Sequence, residues 1–182
     1  MGPRRCERCR VRPRLLDLFC GAGGAARGYQ MAGFHVTGVD IKPQPNYAGD
    51  VFVQADALEY VAAHGHEFDA IHASPPCHAY STVTGRNRRN TKRYPDLIPP
   101  TRELLLVCGS PWIMENVEGA PIKSPVRLCG SSFGLDVRRH RLFETSFPVA
   151  MVPPCAHHWQ KPRFRSLDSR MAGRLATVWR FR

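Results

Sequence analysis

The chain has 182 residues, 43% of them hydrophobic, which suits one domain with a real core and excludes wholesale disorder. Lys and Arg number 26 against 15 Asp and Glu, a net charge of +11. No apolar run approaches the roughly 18 residues that a membrane span needs, which excludes an integral membrane protein.

The charge is unevenly placed. Residues 1–14 carry a net of +5, residues 137–182 a net of +8, and the body between them a net of −2. Five of the basic residues of that body form one run, Arg86, Arg88, Arg89, Lys92 and Arg93. Basic ends and one basic loop on a near-neutral body suit a polyanionic partner, most simply nucleic acid. A solvated surface rich in Arg is the plainer alternative. Met1 to Cys6 has no apolar stretch behind its charges, so it is not a secretory signal. The seven cysteines are odd in number and follow no framework. Reduced thiols and a cytoplasmic protein are therefore expected.

Taken in chain order, Leu15 to Phe19 is a short apolar run that ends in Cys20-Gly21-Ala22-Gly23-Gly24, a buried strand feeding a tight turn. Ala25 to Met31 has helical character, and Gly33 suits its end. His35 to Asp40 reads as a second strand and Val51 to Val53 as a third, followed by Asp56 and a helix to about Ala63. Phe68 to Ala73 is a fourth strand, stopped by Pro75-Pro76. Residues 77–95 read as a long polar loop. Asp96 or Thr101 is expected to cap a helix running to about Val107, and Trp112 to Met114 is a fifth strand, ending at Glu115-Asn116. Alternating strand and helix implies an α/β fold, a mostly parallel sheet with helices on both faces. After about residue 125 the pattern changes. Gly130, Gly134 and Pro148 punctuate Leu128 to Phe147, which suits a hairpin. Residues 1–13 are expected to be a disordered basic extension, 14–150 the catalytic domain, and 151–182 a short basic segment.

The unusual residues cluster at strand carboxyl ends, where ligands bind in such sheets. Glycine in the first turn lets backbone approach a ligand closely. Asp40, at the end of the second strand, can accept both hydroxyls of a ribose. Asp56 can accept from an adenine amino group. Together they describe an adenosine pocket, for a dinucleotide or for S-adenosylmethionine. Pro75-Pro76 makes a stiff turn that holds Cys77 over the same cleft, where a thiolate would act as a nucleophile. Glu115, at the mouth of an apolar strand, is a candidate proton donor through a raised pKa. Arg139 and Arg141 would share one face of a strand, suited to carbonyl or phosphate oxygens. Each has a bland counterpart: packing glycines, a buried small thiol, a solvated acid, a basic edge strand.

These residues resemble the DNA (cytosine-5) methyltransferases. Asp17-Leu18-Phe19-Cys20-Gly21-Ala22-Gly23-Gly24 resembles that family's first motif, Pro76-Cys77 its nucleophile motif, and Glu115-Asn116-Val117 its Glu-Asn-Val motif. Arg139 and Arg141 resemble the arginines of its Gln-x-Arg-x-Arg motif, and all four occur in the family's order over residues 14 to about 147. The resemblance implies a Rossmann-like S-adenosylmethionine-dependent methyltransferase fold. Its cofactor would lie against Phe19, Gly21, Ala22, Gly23, Gly24, Asp40, Ile41, Asp56, Ala57 and Pro76. It implies that Cys77 adds to C6 of a flipped-out cytosine, that Glu115 holds or protonates N3, and that Arg141, supported by Arg139, binds O2. Ser81, Arg86, Arg88, Arg89, Lys92, Arg93 and Asn116 would contact double-stranded DNA. A monomer is expected, with a cognate restriction enzyme as one further partner.

The pattern departs from the family at Val137, where Gln is usual, and at His78, where Gln commonly follows the nucleophile. Only 35 residues follow Phe147, in place of the family's target-recognition region and closing segment. The resemblance is therefore to a compact or C-terminally shortened member. An RNA cytosine methyltransferase, an exocyclic-amine methyltransferase and an inactive DNA-binding remnant stay open as alternatives. Cys6-Glu7-Arg8-Cys9 is a Cys-x-x-Cys pair that could hold zinc with Cys155, His157 or His158, but it lacks partner spacing, and no metal is expected.

Overall fold

The computed structural model describes residues 12–78, 80 and 95–159. The elements run β1 (Arg14–Leu18), α1 (Gly24–Met31), β2 (His35–Asp40), β3 (Val51–Gln54), α2 (Ala57–His64), β4 (Ala70–Ala73), α3 (Ile98–Cys108), β5 (Trp112–Asn116), β6 (Val126–Cys129) and β7 (His140–Thr145). The seven strands form one sheet in the order β3-β2-β1-β4-β5-β7-β6. Every pairing is parallel except those of β7, which runs antiparallel to both β5 and β6.

Burial explains the layers. β1 is buried on both faces, as a central parallel strand must be. Leu15 packs with Ala26 of α1 and with Val36, its partner on β2. Leu16 and Leu18 point the other way, into a larger cluster with Val61 of α2 and Ile98 and Leu105 of α3. Thus α1 covers one face, and α2 with α3 covers the other. The expected α/β architecture holds, a mostly parallel Rossmann-like sheet with helices on both faces. The strand order reverses between β1 and β4, and a crevice opens at their carboxyl ends.

Local chemistry sets the element ends. The Asp56 carboxylate caps α2, its Oδ1 accepting from Leu58 N at 2.8 Å and Glu59 N at 3.1 Å. For α3 the two candidate caps separate. Asp96 Oδ1 accepts from Ile98 N, whereas Thr101 lies inside the first turn, buried, its hydroxyl donating to Leu97 O. The fourth strand starts at Ala70 rather than Phe68, because a 3₁₀ turn over Gly65–Glu67 precedes it and Phe68 packs into the core. The expected hairpin is β6 and β7, with β7 inserted beside β5. The chain then returns to that hairpin, where Ala156 N donates to Ser131 Oγ and Arg138 Nη2 to His157 O. The described residues after 150 thus stay hydrogen-bonded to the hairpin.

Two buried features tie the layers together. Arg102 of α3 grips Glu144 of β7 with two hydrogen bonds, at 2.7 and 2.8 Å, and Arg102 also donates to Pro121 O. The Tyr47 ring fills a slot that only glycine leaves open: a Cβ on Gly38 of β2 would lie 2.3 Å from Tyr47 Oη, and one on Gly23 would lie 2.8 Å from the same ring. Gly23 also needs its φ of 84° to start α1. Gly38→Ala must expel the ring, so we expect it to destabilise the fold by about 1–3 kcal/mol in a urea titration, with the slope m unchanged.

Candidate active site

The crevice has a volume of about 490 Å³, within the range of small-molecule sites. Its wall joins residues from the ends of five strands. Phe19 follows β1, Asp40 ends β2, Asp56 follows β3, Pro75 to Cys77 follow β4, and Glu115 and Asn116 end β5. Arg139 and Arg141, at the start of β7, close the far side.

On the first side, Asp40 anchors the glycine-rich turn. Its Oδ2 accepts from Gly21 N at 3.0 Å and its Oδ1 from Lys42 N at 2.9 Å. Each carboxylate oxygen has two acceptor sites, so these bonds leave capacity for two hydroxyls. Asp56 uses Oδ1 for the helix cap, and its Oδ2 is the oxygen that can accept from an amine. Ile41 is 65% exposed on the crevice wall, beside Phe19 and Ala57. Apolar surface left open between two carboxylates suits an adenosine, with acceptors for its polar edges and a platform for its ring. Gly21, Ala22, Gly23 and Gly24 form the turn between β1 and α1 that Asp40 anchors. Val117, of the Glu-Asn-Val motif, and Ser74, before the two prolines, also line the crevice, as do Lys42 and Gln44, which no sequence signal had singled out.

On the other side, Cys77 is half-buried in a loop fastened at several points. Ser74 N donates to Leu18 O at 3.2 Å, and Ser74 Oγ donates to Phe19 O at 3.3 Å. Asn116 Nδ2 donates to Pro75 O at 2.9 Å. Tyr80 N donates to Cys77 O at 2.9 Å, and the Tyr80 hydroxyl donates to Asp96, which joins the two flanks of the segment 81–94. Asn116, expected among the DNA contacts, is 2% exposed; its Nδ2 donates to Pro75 O and its Oδ1 accepts from Val117 N, so it shapes the cysteine loop. Ser81, Arg86, Arg88, Arg89, Lys92 and Arg93 lie outside the described residues.

Glu115 and Arg141 form an ion pair across the β5–β7 ladder, Glu115 Oε1 to Arg141 Nε at 2.6 Å. The neighbour expected to act on Glu115 was apolar surface; the structure puts a guanidinium there. Burial and the Arg141 charge pull the Arg139 pKa down, against Glu115 and Cys77, so all four groups share one electrostatic neighbourhood. A second thiol, Cys20, lies in the turn after β1. Burial, then the carboxylates of Asp17 and Asp40, pushes it up to about 12, so it is a neutral thiol at physiological pH.

Among solved structures, the fold is similar to a hypothetical protein of Thermus thermophilus, at 15% identity over 74% of this chain and 74% of that one, TM-score 0.48. It is similar to the 1,6-didemethyltoxoflavin-N1-methyltransferase of Burkholderia thailandensis, solved with S-adenosylhomocysteine, at 14% identity over 74% of this chain and 70% of that one, TM-score 0.46. A SAM-dependent methyltransferase from Archaeoglobus fulgidus matches at 20% identity over 62% of this chain and 48% of that one, TM-score 0.41. No curated protein matches. The family profile described as C-5 cytosine-specific DNA methylase matches residues 13–123, which span β1 to the connection after β5 and include Cys77 and Glu115. With more than half of its length in that match, the chain belongs to the C-5 cytosine-specific DNA methylase family.

Proposed function

We propose that the protein methylates C5 of cytosine in DNA through a covalent Cys77–C6 adduct on a flipped-out base. S-adenosylmethionine is the methyl donor, and when bound it supplies an electrophilic methyl group. The observation that carries the reading is the meeting of Cys77, Glu115, Arg139 and Arg141, from three separate strand ends, on one crevice wall with the Glu115–Arg141 contact at 2.6 Å.

The chemistry needs this set. Cytosine C5 is a poor nucleophile. Addition of the Cys77 thiolate forms an S–C6 bond and moves the C5–C6 π pair toward C5, which becomes an enamine carbon. Negative charge that reaches N3 is neutralised by a proton from the carboxylic acid of Glu115, which takes that proton back when the ring is restored, and charge on O2 is met by Arg141, with Arg139 beside them. After C5 has gained its methyl, loss of the C5 proton and departure of Cys77 restore the ring. The base cannot react inside the stack, so the reading requires flipping. Asp40 and Asp56 would hold the cofactor's ribose and adenine, and Ile41 and Phe19 its apolar surface. The basic run within 81–94 would contact phosphates, which gives affinity without reading sequence.

Glu115→Gln tests the acid role. It keeps the shape of the side chain and loses the proton, so kcat falls by about 10²–10⁴-fold, while cofactor affinity stays within a few-fold. Single-turnover methyl transfer to duplex DNA, with RNA and adenine-only duplexes in parallel, measures both rate and substrate class. Transfer to RNA alone, or to an exocyclic amine, would replace this reading with one of its alternatives.

A further inference from the structure

Away from the crevice, four ligand-type side chains converge at one end of the sheet. Cys129 ends β6, His140 begins β7, and Cys155 and His157 come from the segment after β7. Their sulfur and ring-nitrogen atoms all lie within 4.8 Å of one another. Cys129 and His140 are directly opposite in the antiparallel ladder, so the strand pairing itself brings two of the four together. Cys155 and His157 are two residues apart and bring the other pair.

The distances fit a metal better than a set of ordinary hydrogen bonds. Cys129 Sγ is 3.1 Å from His157 Nε2, and Cys155 Sγ is 3.5 Å from His140 Nε2. In a tetrahedral zinc site with Zn–S of about 2.3 Å and Zn–N of about 2.0 Å, neighbouring sulfur and nitrogen atoms stand about 3.5 Å apart. The outer groups are placed as metal ligands require. His140 Nδ1 faces Glu118 Oε2 at 3.2 Å, which leaves Nε2 to point at the metal. Ser131 Oγ donates to Cys129 Sγ at 3.2 Å and accepts from Ala156 N at 3.1 Å.

We propose that Cys129, His140, Cys155 and His157 bind one zinc ion. Four protein ligands leave no open coordination position, so the site is structural. Two thiolates with two imidazoles select zinc over the hard cations. Binding releases the two thiol protons and fastens the segment after β7 to the β6–β7 hairpin. His140 stands between Arg139 and Arg141, so the ion also fixes the stretch of chain from which both guanidiniums reach the crevice.

Zinc content of the full-length chain, expressed in zinc-supplemented medium and desalted, tests this directly. The wild type should carry one zinc per chain. Cys155→Ser should lose it, while Cys108→Ser, on α3 and outside the cluster, and Cys6→Ser should keep it. Cobalt(II) exchanged into the wild type should give the d–d bands of a tetrahedral ion with thiolate-to-cobalt charge transfer. That spectrum decides the matter even if Cys155→Ser fails to fold. Wild-type protein with no stoichiometric zinc and no cobalt charge transfer would overturn the proposal. So would a Cys129–Cys155 disulfide in the isolated protein, or zinc that survives Cys155→Ser and leaves with Cys6→Ser.

Discussion

Cys77→Ala should reduce methyl transfer to below about 10⁻⁴ of the parental rate, with S-adenosylmethionine still bound and the melting temperature unchanged within about 2 °C. On the proposed mechanism C5 is not activated without the sulfur, and among the described residues the other thiol at the strand ends cannot take its place. Cys20 cannot, because burial and then Asp17 and Asp40 hold its thiol near a pKa of about 12. The side chain at 77 bears little of the fold. The loop is fastened by Ser74, by the Asn116 amide on Pro75 O and by Tyr80 N on the backbone carbonyl of residue 77, and alanine keeps that carbonyl. Transfer of a labelled methyl group to duplex DNA, alongside a thermal melt, separates loss of chemistry from loss of fold.

The second large effect concerns stability. Glu144→Gln, or Arg102→Met, should cost about 3–5 kcal/mol, because either leaves a charge or polar group buried without its partner. For a chain of this size that is a fall of roughly 10 °C in melting temperature. Arg102→Met with Glu144→Met should recover part of the loss, since no buried charge remains. Recovery stays incomplete because Pro121 O and Lys123 N lose the partners they now have. The pH dependence has a definite sign. Burial opposes the Glu144 charge, but Arg102 and Lys123 N outweigh it, so its pKa lies below the ordinary carboxylate value. The stabilisation is therefore present above that ordinary value and is lost as the pH falls through the lowered one. The gap between wild type and Glu144→Gln should stay constant from neutrality down to the ordinary carboxylate range and narrow as the pH falls below it. Urea titrations across that range measure it.

What the sequence made legible was local. β1, α1, β2 and the helix after Asp56 follow from runs and breaks within a few residues of one another. The crevice residues were legible because in a parallel α/β sheet each strand end points to the same edge, so Asp40, Cys77 and Glu115 could be placed together without coordinates. The non-local features were not. The Arg102–Glu144 pair joins residues on α3 and β7 and depends on β7 slotting in beside β5. The Tyr47 slot needs three glycines, Gly23, Gly38 and Gly49, that converge only in the fold. Asn116 reads as a polar residue of an exposed motif until its burial is seen. The zinc ligands carry one local signal, Cys155-x-His157. Their partners, Cys129 and His140, lie either side of a hairpin whose register no spacing rule supplies.

Covalent trapping tests the account most directly. The protein, S-adenosylmethionine and a duplex containing 5-fluorocytosine are incubated and run on a denaturing gel. Fluorine at C5 cannot leave as a proton does, so the base stays bonded to the nucleophile once the methyl group has moved. The account predicts a shifted band that needs S-adenosylmethionine and disappears in Cys77→Ala. A folded, cofactor-binding protein that gives no shifted band, or one that persists in Cys77→Ala, would contradict it.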